Sequence, residues 1–541
     1  METRTLPLTT PGSLPRLLSE SQRLILAASL GTIFEWYDFF LYGSLASTLS
    51  RQFFSGVDET TGFMFALLAF AAGTIVRPFG AAFFGRLGDL VGRKYTFLMT
   101  MFLMGLATVA VGVLPGYARI GIAAPIILIS LRLLQGLALG GEYGGAAVYV
   151  AEHAPDDRRG YYTSWIQTTA TLGLLLSLVV VFGCRLITKS GFEVWGWRIP
   201  FWFSSVLLAV SIWIRRSMTE SKAFLHAKSQ GKLSPAPLRE VFGKKKNLAK
   251  LLVAFVGPVV GMTAVWYTAQ LYSLYFLTET LRVDALTANL LMGAALLVGS
   301  PFYVLSGWLS DKVGRKPVMM TGMVAAAVLM IPLFKGMTHY ANPQLAAAAR
   351  TNPVVVAADP RTCGLQFDLL GQKTTSTECD KVKALLSKMG VPYRNVKMPA
   401  GAELQVKIGS AMITGFQATE IEKVLGAASY PSRAEPAQMN FGMVVLCLTG
   451  LVVLASSVYG PLAATLVEMF PTRIRYTALS VPYHAGVGWI GGLLPAAEYS
   501  LVIATGNIYF GLRLPVLIIV GSFLIGMCCM KESVGRDLHA D

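Results

Sequence analysis

Twelve runs of about 20 apolar residues dominate this chain, at 23–49, 62–84, 95–114, 121–149, 163–186, 198–215, 251–277, 286–307, 317–336, 440–463, 477–501 and 508–530. A helix of that length covers roughly 30 Å, the thickness of a bilayer's hydrocarbon core. No water reaches that core to satisfy backbone N–H and C=O groups, so only helices and closed barrels cross it. The runs are continuously apolar and do not alternate, which selects helices over barrel strands. Only 14% of the 541 residues are charged, against roughly 25% in a soluble domain.

The chain is internally duplicated. Gly85-Arg-Leu-Gly-Asp89-Leu-Val-Gly92-Arg93-Lys94 returns 222 residues later as Gly307-Trp-Leu-Ser-Asp311-Lys-Val-Gly314-Arg315-Lys316. A second echo, Glu152-x-x-Pro155-x-x-x-Arg159 and Glu468-x-x-Pro471-x-x-x-Arg475, has an offset of 316 residues. Repeated halves are usual in transporters. The difference between the offsets, 94 residues, must lie between the two later motifs, and the polar stretch 339–438 supplies it. The expected organisation is a tail at 1–22, a six-helix bundle at 23–215, a basic linker at 216–250, helices seven to nine at 251–338, an insert at 339–438, helices ten to twelve at 439–530 and a tail at 531–541. Within the insert, 354–356 and 405–408 read as strands. Residues 380–389 read as a short helix stopped by Gly390.

The net charge of +16 is placed on one face. Ten Lys/Arg and two acids lie between Arg215 and Lys250, and smaller basic clusters occur at Arg93-Lys94, Arg158-Arg159, Arg315-Lys316 and Arg473/Arg475. With twelve crossings all of these fall on the same side, which the positive-inside rule makes the cytoplasm, together with both termini. The insert then lies outside. There Cys363 and Cys379 are expected to pair, since an oxidising compartment permits disulfides. No aromatic-basic nucleic-acid motif accompanies the charge. The first crossing is expected to serve as its own insertion signal, with no cleavable leader.

Charges within crossings are costly, by about 2.5–3.5 kcal/mol on insertion scales, and mark function. Glu35 and Asp38 stand three residues apart on one face of the first helix, near its middle. Two carboxylates this close cannot both ionise cheaply, so one is expected to carry a proton. In the fourth crossing Arg132, Gln135, Leu139, Glu142 and Tyr143 form a polar stripe. Arg132 and Arg77 are candidates to hold a carboxylate or to pair with Glu35 and Asp38. Tyr42, Gln135, Tyr143, Gln167, Trp266, Tyr267 and Gln270 are candidate substrate contacts, because amide and aromatic groups orient small solutes in apolar cavities. Asn289, Tyr459, Tyr483 and His484 are weaker candidates. Glu498 is expected to be wetted near a helix end. In the repeated loops, Gly85, Asp89, Gly92, Arg93, Gly307, Asp311, Gly314 and Arg315, with Glu142 and Glu152, are expected to form a cytoplasmic gate. Its aspartates would meet helix N-termini, where negative charge is favoured.

These residues resemble a known family. The two Gly-x-x-x-Asp-x-x-Gly-Arg-Lys loops are similar to those of the major facilitator superfamily. Gly31-Thr-Ile-Phe-Glu35-Trp-Tyr-Asp38-Phe-Phe-Leu-Tyr42-Gly43 and Arg132-Leu-Leu-Gln135-Gly136-Leu-Ala-Leu-Gly-Gly141-Glu142-Tyr143, with Arg77-Pro78-Phe-Gly80 and Trp195-Gly-Trp-Arg198-Ile-Pro200, resemble its metabolite:H⁺ symporter branch. The resemblance implies an all-α membrane protein of twelve transmembrane helices in two six-helix bundles, here with a small α+β insert that departs from the pattern. It implies alternating access, a coupling role for Glu35, Asp38 and Arg132, and substrate contact at Arg77. The implied activity is proton symport of a small organic acid in a bacterial inner membrane. Uptake of a zwitterionic osmolyte such as proline or betaine, and a receptor-like role for the insert, remain as alternatives. No catalytic motif, ATP-binding loop or metal cluster occurs, so no enzyme activity, cofactor or metal is expected. The expected partners are substrate, protons and lipid, around a monomer driven by a proton gradient.

Overall fold

The computed structural model describes residues 20–56, 59–216, 220–361, 363 and 377–538. Most of the expected tail at 1–22, residues 217–219 of the linker and the last three residues lie outside the described part. Twelve helical passages can be traced among the described residues. They are Glu20–Ser44, Glu59–Leu90, Arg93–Val113, Ala123–His153, Arg159–Thr188, Ile199–Arg216, Lys245–Thr280, Ala285–Val313, Arg315–Ala341, Phe441–Met469, Thr472–Thr505 and Arg513–Cys529. Eight of them are long and apolar enough to cross a membrane by themselves, and Arg513–Cys529 is a shorter apolar helix. The second passage is interrupted at Val76 and restarts at Arg77-Pro78. Pro78 lacks an N–H, which costs nothing in the first turn of a helix. The seventh passage widens into π-helical turns at Phe255–Val259, around Pro258, and again at Thr268–Tyr272 and Phe276–Thr280. The eleventh does so at Gly486–Gly491. Such widened turns often mark functional stretches of a helix.

Several passages outrun the apolar runs that announced them. The seventh starts at Lys245 inside the basic linker, and the ninth continues to Ala341, beyond 338. Hydropathy marks the part of a helix that faces lipid, whereas the hydrogen-bonded ladder continues until a capping group ends it. Asn342 is such a group, its side chain accepting from Leu345 N at 3.0 Å to start the next helix.

The insert is α+β. Strands β1 (Val354–Ala358), β2 (Tyr393–Lys397), β3 (Gln405–Ile408) and β4 (Ala411–Thr414) form one sheet in the order β2-β1-β3-β4. β1 runs parallel to β2 and antiparallel to β3. The hairpin β3–β4 turns on Gly409-Ser410, with Gly409 at φ 57°, a left-handed conformation that glycine adopts without strain. Helices Pro343–Thr351, Glu378–Lys388 and Ala418–Ala427 surround the sheet. Thr377 caps the second of these by accepting from Asp380 N at 3.1 Å. Gly390, at φ 69°, follows its end.

The insert sits on one end of the C-terminal bundle. Tyr393 N donates to Gly506 O at 2.9 Å, and Asn395 Nδ2 donates to Ala504 O at 3.0 Å and Thr505 O at 3.1 Å. Ala434 N reaches Arg282 O at 3.0 Å, and Asn342 Nδ2 reaches Leu281 O at 2.9 Å. The buried apolar residues of the insert are continuous with those of this bundle.

Cys363 and Cys379 are joined in a disulfide with Cα atoms 5.4 Å apart, and Cys184, Cys447, Cys528 and Cys529 are free. The bridge closes a loop of sequence separation 16, and crosslinks of that span stabilise by about 3 kcal/mol in chain-entropy models. Replacing both residues with serine is expected to lower the insert's unfolding free energy by that order. In denatured protein, maleimide should modify only the four free cysteines until a reductant is added. Six modified cysteines without reductant would rule the bridge out.

Candidate functional site

The repeated loops build a closure on the basic face of the molecule. Gly92 and Gly314 adopt φ 136° and 114°, conformations that side-chain-bearing residues rarely take. Each lets the chain turn sharply from one helix into the next. Asp89 accepts from Tyr476 N at 3.1 Å and Thr477 N at 2.9 Å, at the start of the helix Arg475–Ala485 in the opposite half. Asp311 accepts from Gly160 N at 2.8 Å and Tyr161 N at 2.7 Å, at the start of the fifth passage. A carboxylate at a helix start satisfies orphan N–H groups and meets the positive end of the helix dipole.

The second echo completes each arrangement with crossed ion pairs. Arg475 pairs with Glu152 at 2.7 Å, and Arg93 approaches Glu152 at 3.8 Å. Arg315 pairs with Glu468 at 3.0 Å, and Arg159 approaches Glu468 at 3.7 Å. Arg93 and Arg315 also hold their own aspartates, at 3.2 Å and 2.5 Å. Arg93 further donates to Thr472 O at 2.7 Å. Each cluster therefore combines two carboxylates and two guanidinium groups, nearly all of them solvent-inaccessible. Glycines permit the close approach. A Cβ on Gly307 would stand 2.4 Å from Gly160 O, and one on Gly85 would stand 2.8 Å from the Thr477 backbone.

Outside the bundles, Glu220 accepts from Arg93 N and Lys94 N at 3.1 Å and 3.2 Å, and Glu532 accepts from Arg315 N and Lys316 N at 3.0 Å. Glu240 of the linker binds Arg473 and Lys244, each at 2.9 Å. Burial would raise the Glu240 carboxyl, yet donation from Lys244, Ser234 and Arg473 holds it below its usual range.

Glu142 departs from the expected gate. It lines a void of about 20 Å³ together with Glu35, Asp38 and Ser204. Ten residues separate it from Glu152 on the same helix, roughly 15 Å at about 1.5 Å per residue, so one helix places Glu152 in an ion cluster and Glu142 beside the other carboxylates. Ser204 donates to Asp38 at 2.6 Å. A second void, also of about 20 Å³, is lined by Arg77, Arg132, Gln135 and Thr74. Each is large enough for about one water. Arg132 donates to Gln135 at 2.5 Å, and Gln135 donates to Thr108 at 2.7 Å. The Arg132 guanidinium lies 3.8 Å over the ring of Tyr42, whose hydroxyl is committed to Ala66 O at 3.1 Å. Tyr42 and Gln135 thus serve Arg132 and the packing around it.

A central aromatic group lies between the halves. Tyr143 stacks on Tyr483 at 3.7 Å, Gln167 donates to the Tyr143 hydroxyl at 2.9 Å, and the hydroxyls of Tyr483 and Tyr459 are 2.6 Å apart. Tyr459 packs against Tyr303, which accepts from Gln270 at 3.1 Å. Trp266 contacts Tyr267 and, across the halves, Trp36. Arg77 is buried beside this wall, over Phe39 at 4.6 Å, and interacts electrostatically with Glu35, Tyr267, Tyr459 and Tyr483. It forms no ion pair within 4 Å among the described residues, and its Nε lacks a hydrogen-bond partner.

His484 is buried beside Tyr483, and neither ring nitrogen has a hydrogen-bond partner among the described residues. Asn289 bonds to its own helix at Ala285 O and stays apart from the centre. Glu498 corrects the expectation of a wetted group. It is fully buried, 0% exposed, and accepts from Thr268 at 2.6 Å. The bend that brings the helices Gly492–Thr505 and Lys245–Thr280 together is invisible to hydropathy.

Sequence reasoning passed over Glu468, Arg159 and Arg475 as functional groups, although the second echo contained all three. Ser204 and Thr108 carried no signal, being ordinary helix residues.

A family profile described as "Sugar (and other) transporter" matches residues 24–236, and one described as "MFS/sugar transport protein" matches residues 145–349. The chain is 28% identical to a glycine betaine/proline/ectoine/pipecolic acid transporter of Dickeya dadantii, over 96% of this chain and 84% of the relative. It is 35% identical to the alpha-ketoglutarate permease of Escherichia coli, over 60% of this chain and 73% of that one. The match to the proline/betaine transporter of the same organism, 34% identical, spans 64% of the relative's length. A solved proton:xylose symporter shares the fold with a TM-score of 0.62 at 17% identity, over 96% of this chain and 98% of that one.

Breaking one partner of a buried ion cluster leaves an uncompensated charge, at a cost of about 3–5 kcal/mol. Glu152→Gln should therefore open the closure. Protection of a cysteine introduced by Ser164→Cys, packed against Gly307, should fall by tenfold or more under maleimide labelling. Unchanged protection in Glu152→Gln and in Glu468→Gln would show that the clusters do not hold the closure.

Proposed function

The chain belongs to the major facilitator superfamily and is a multi-pass membrane transporter, and from that premise we propose that it couples proton entry to uptake of a small organic acid. The single observation that carries this reading is Arg77, a buried guanidinium with no ion pair within 4 Å among the described residues, only the longer-range influence of Glu35, beside a wall of tyrosines. An unneutralised buried cation is costly, and a bidentate carboxylate relieves that cost. Tyr143, Tyr459, Tyr483 and Gln167 offer hydroxyl and amide groups to orient the rest of the substrate. Trp266, Tyr267 and Gln270 complete the wall from the other half.

The proton is carried by the carboxylate group of Glu35, Asp38 and Glu142. Three carboxyls around one small void cannot all be charged cheaply. Arg132, joined to Gln135 and lying next to the same helices, links this group to Arg77 electrostatically. Substrate binding at Arg77 and protonation near Asp38 then favour release of the closure on the basic face, which exposes the site to the other side. On this reading the basic face is the cytoplasmic one, the insert is extracytoplasmic, both termini are cytoplasmic, the protein resides in a bacterial inner membrane and a monomer suffices.

A second reading has specific support. The tyrosine and tryptophan wall also suits a quaternary ammonium through cation–π attraction, and a betaine or proline would still present its carboxylate to Arg77. The relatives include transporters named for both kinds of solute.

Uptake into proteoliposomes separates the two readings. With a pH gradient imposed, labelled 2-oxoglutarate should accumulate and a protonophore should abolish accumulation. Accumulation of glycine betaine instead selects the second reading. Arg77→Gln should reduce transport of either by 100-fold or more, with Arg77→Lys recovering part. Asp38→Asn should abolish gradient-driven accumulation while substrate exchange across the membrane persists. Wild-type accumulation by Asp38→Asn would refute the coupling assignment, and wild-type uptake by Arg77→Gln would refute the substrate assignment.

A further inference from the structure

A cavity of about 520 Å³ opens in the seam between the insert and the C-terminal bundle, well away from the tyrosine wall. Its walls come from the end of the ninth passage, the helix Pro343–Thr351, the start of β2 and the turn before the twelfth passage. Lys335, His339, Arg350 and Arg394 line it, and no acidic residue does among the described residues. All four are exposed, and none forms an ion pair within 4 Å among the described residues. The Lys335 nitrogen stands 5.9 Å over the ring of Tyr509, which contributes to the wall. Apolar groups, including Leu345 and Ile508, complete the lining.

We infer that this cavity binds an anion of the phosphate class, carried either on a lipid headgroup or by a soluble ion. Three permanent positive charges and an imidazole surround one concavity, and the described residues lining it supply no counter-charge. An anion with several acceptor oxygens satisfies two guanidinium groups and an ammonium at once. The level of the site suits a headgroup. Lys335 follows Arg315 by 20 positions on one helix, roughly 30 Å at about 1.5 Å per residue. That is about the thickness of the hydrocarbon core, so Lys335 reaches the opposite membrane surface, where lysines extend their ammonium into the headgroup layer. Arg350 and Arg394 stand beyond it, on the insert. An occupant would therefore bridge insert and bundle, adding charge-assisted bonds to the main-chain contacts around Tyr393 and Gly506.

The test uses the full-length protein, stripped of lipid in a neutral detergent. Binding of phosphatidylglycerol and of phosphatidylcholine is read by native mass spectrometry, and binding of inorganic phosphate by thermal stabilisation at constant ionic strength. Wild type should bind phosphatidylglycerol, phosphate or both. Phosphatidylglycerol alone identifies a lipid site, and phosphate alone a soluble-anion site. The pair Arg350→Ala and Arg394→Ala should weaken the bound species by about tenfold or more, while Lys407→Ala, an exposed charge elsewhere on the sheet, should not. Arg350→Gln alone provides a milder variant that preserves the fold and should weaken binding severalfold. Absence of both ligands from wild type, or equal binding by wild type and the Arg350 and Arg394 variants, overturns the inference.

Discussion

The crossed ion clusters are the constraint on which the remaining architecture depends. Asp89 and Asp311 each reach a helix start in the opposite half, and Glu152 and Glu468 each hold an arginine from across the interface. Within its own half alone, Glu152 would lose Arg475, and Glu468 would lose Arg159, which would keep only the exposed Asp156. Docked, each cluster has two positive and two negative groups. The closure is therefore close to all-or-none, since removal of one group exposes the desolvation cost of the others. A contact with that property suits a switch better than an apolar interface, which weakens gradually with separation.

The duplication explains why the closure is built twice. One ancestral pattern placed an aspartate and an arginine in a loop, and a glutamate and an arginine seven residues apart beyond a later helix. Two copies facing each other satisfy one another's groups. This much was legible in the sequence, because the loops and the echo are separate strings with measurable offsets. Their pairing was not, because nothing in a linear pattern says which glutamate meets which arginine. Arg475 and Arg159 read as topogenic charge until the fold placed them opposite Glu152 and Glu468. Glu142 failed for the reverse reason. Its position in the stripe suggested the helix end, but ten residues are about 15 Å, enough to separate gate from carboxylate group. The strand Tyr393–Lys397 was missed because four of its five residues are exposed, so no apolar alternation announces it.

The insert shows a second constraint, its attachment. Among the described residues, its main-chain and side-chain bonds to the bundles go to the seventh, ninth, eleventh and twelfth passages or the turns beside them. Its apolar core is continuous with the C-terminal bundle. Among the described residues, a unit fastened in this way is bonded to the C-terminal bundle and adds a basic cavity to it.

Charge bookkeeping in the middle of the molecule connects the proposed substrate to the proposed proton. Arg77 and Arg132 line one small void, and Glu35, Asp38 and Glu142 line another, with Met104 common to both. Bringing a carboxylate alone into that region adds a negative charge to a low-dielectric interior that already holds three acids. Bringing a proton alone leaves Arg77 still without a partner. Their joint entry leaves the net buried charge where it began, while giving Arg77 its anion and removing one of the repelling carboxylates. For a monocarboxylate this balance requires one proton. Each further substrate charge requires another proton, or an outward supply of counter-charge, for the loaded state to cost no more than the empty one. A zwitterion enters under a different balance. Its own positive group must be accepted by the aromatic wall, and the proton then alters the net charge. On the proposed reading, proton stoichiometry follows substrate charge through the same five residues.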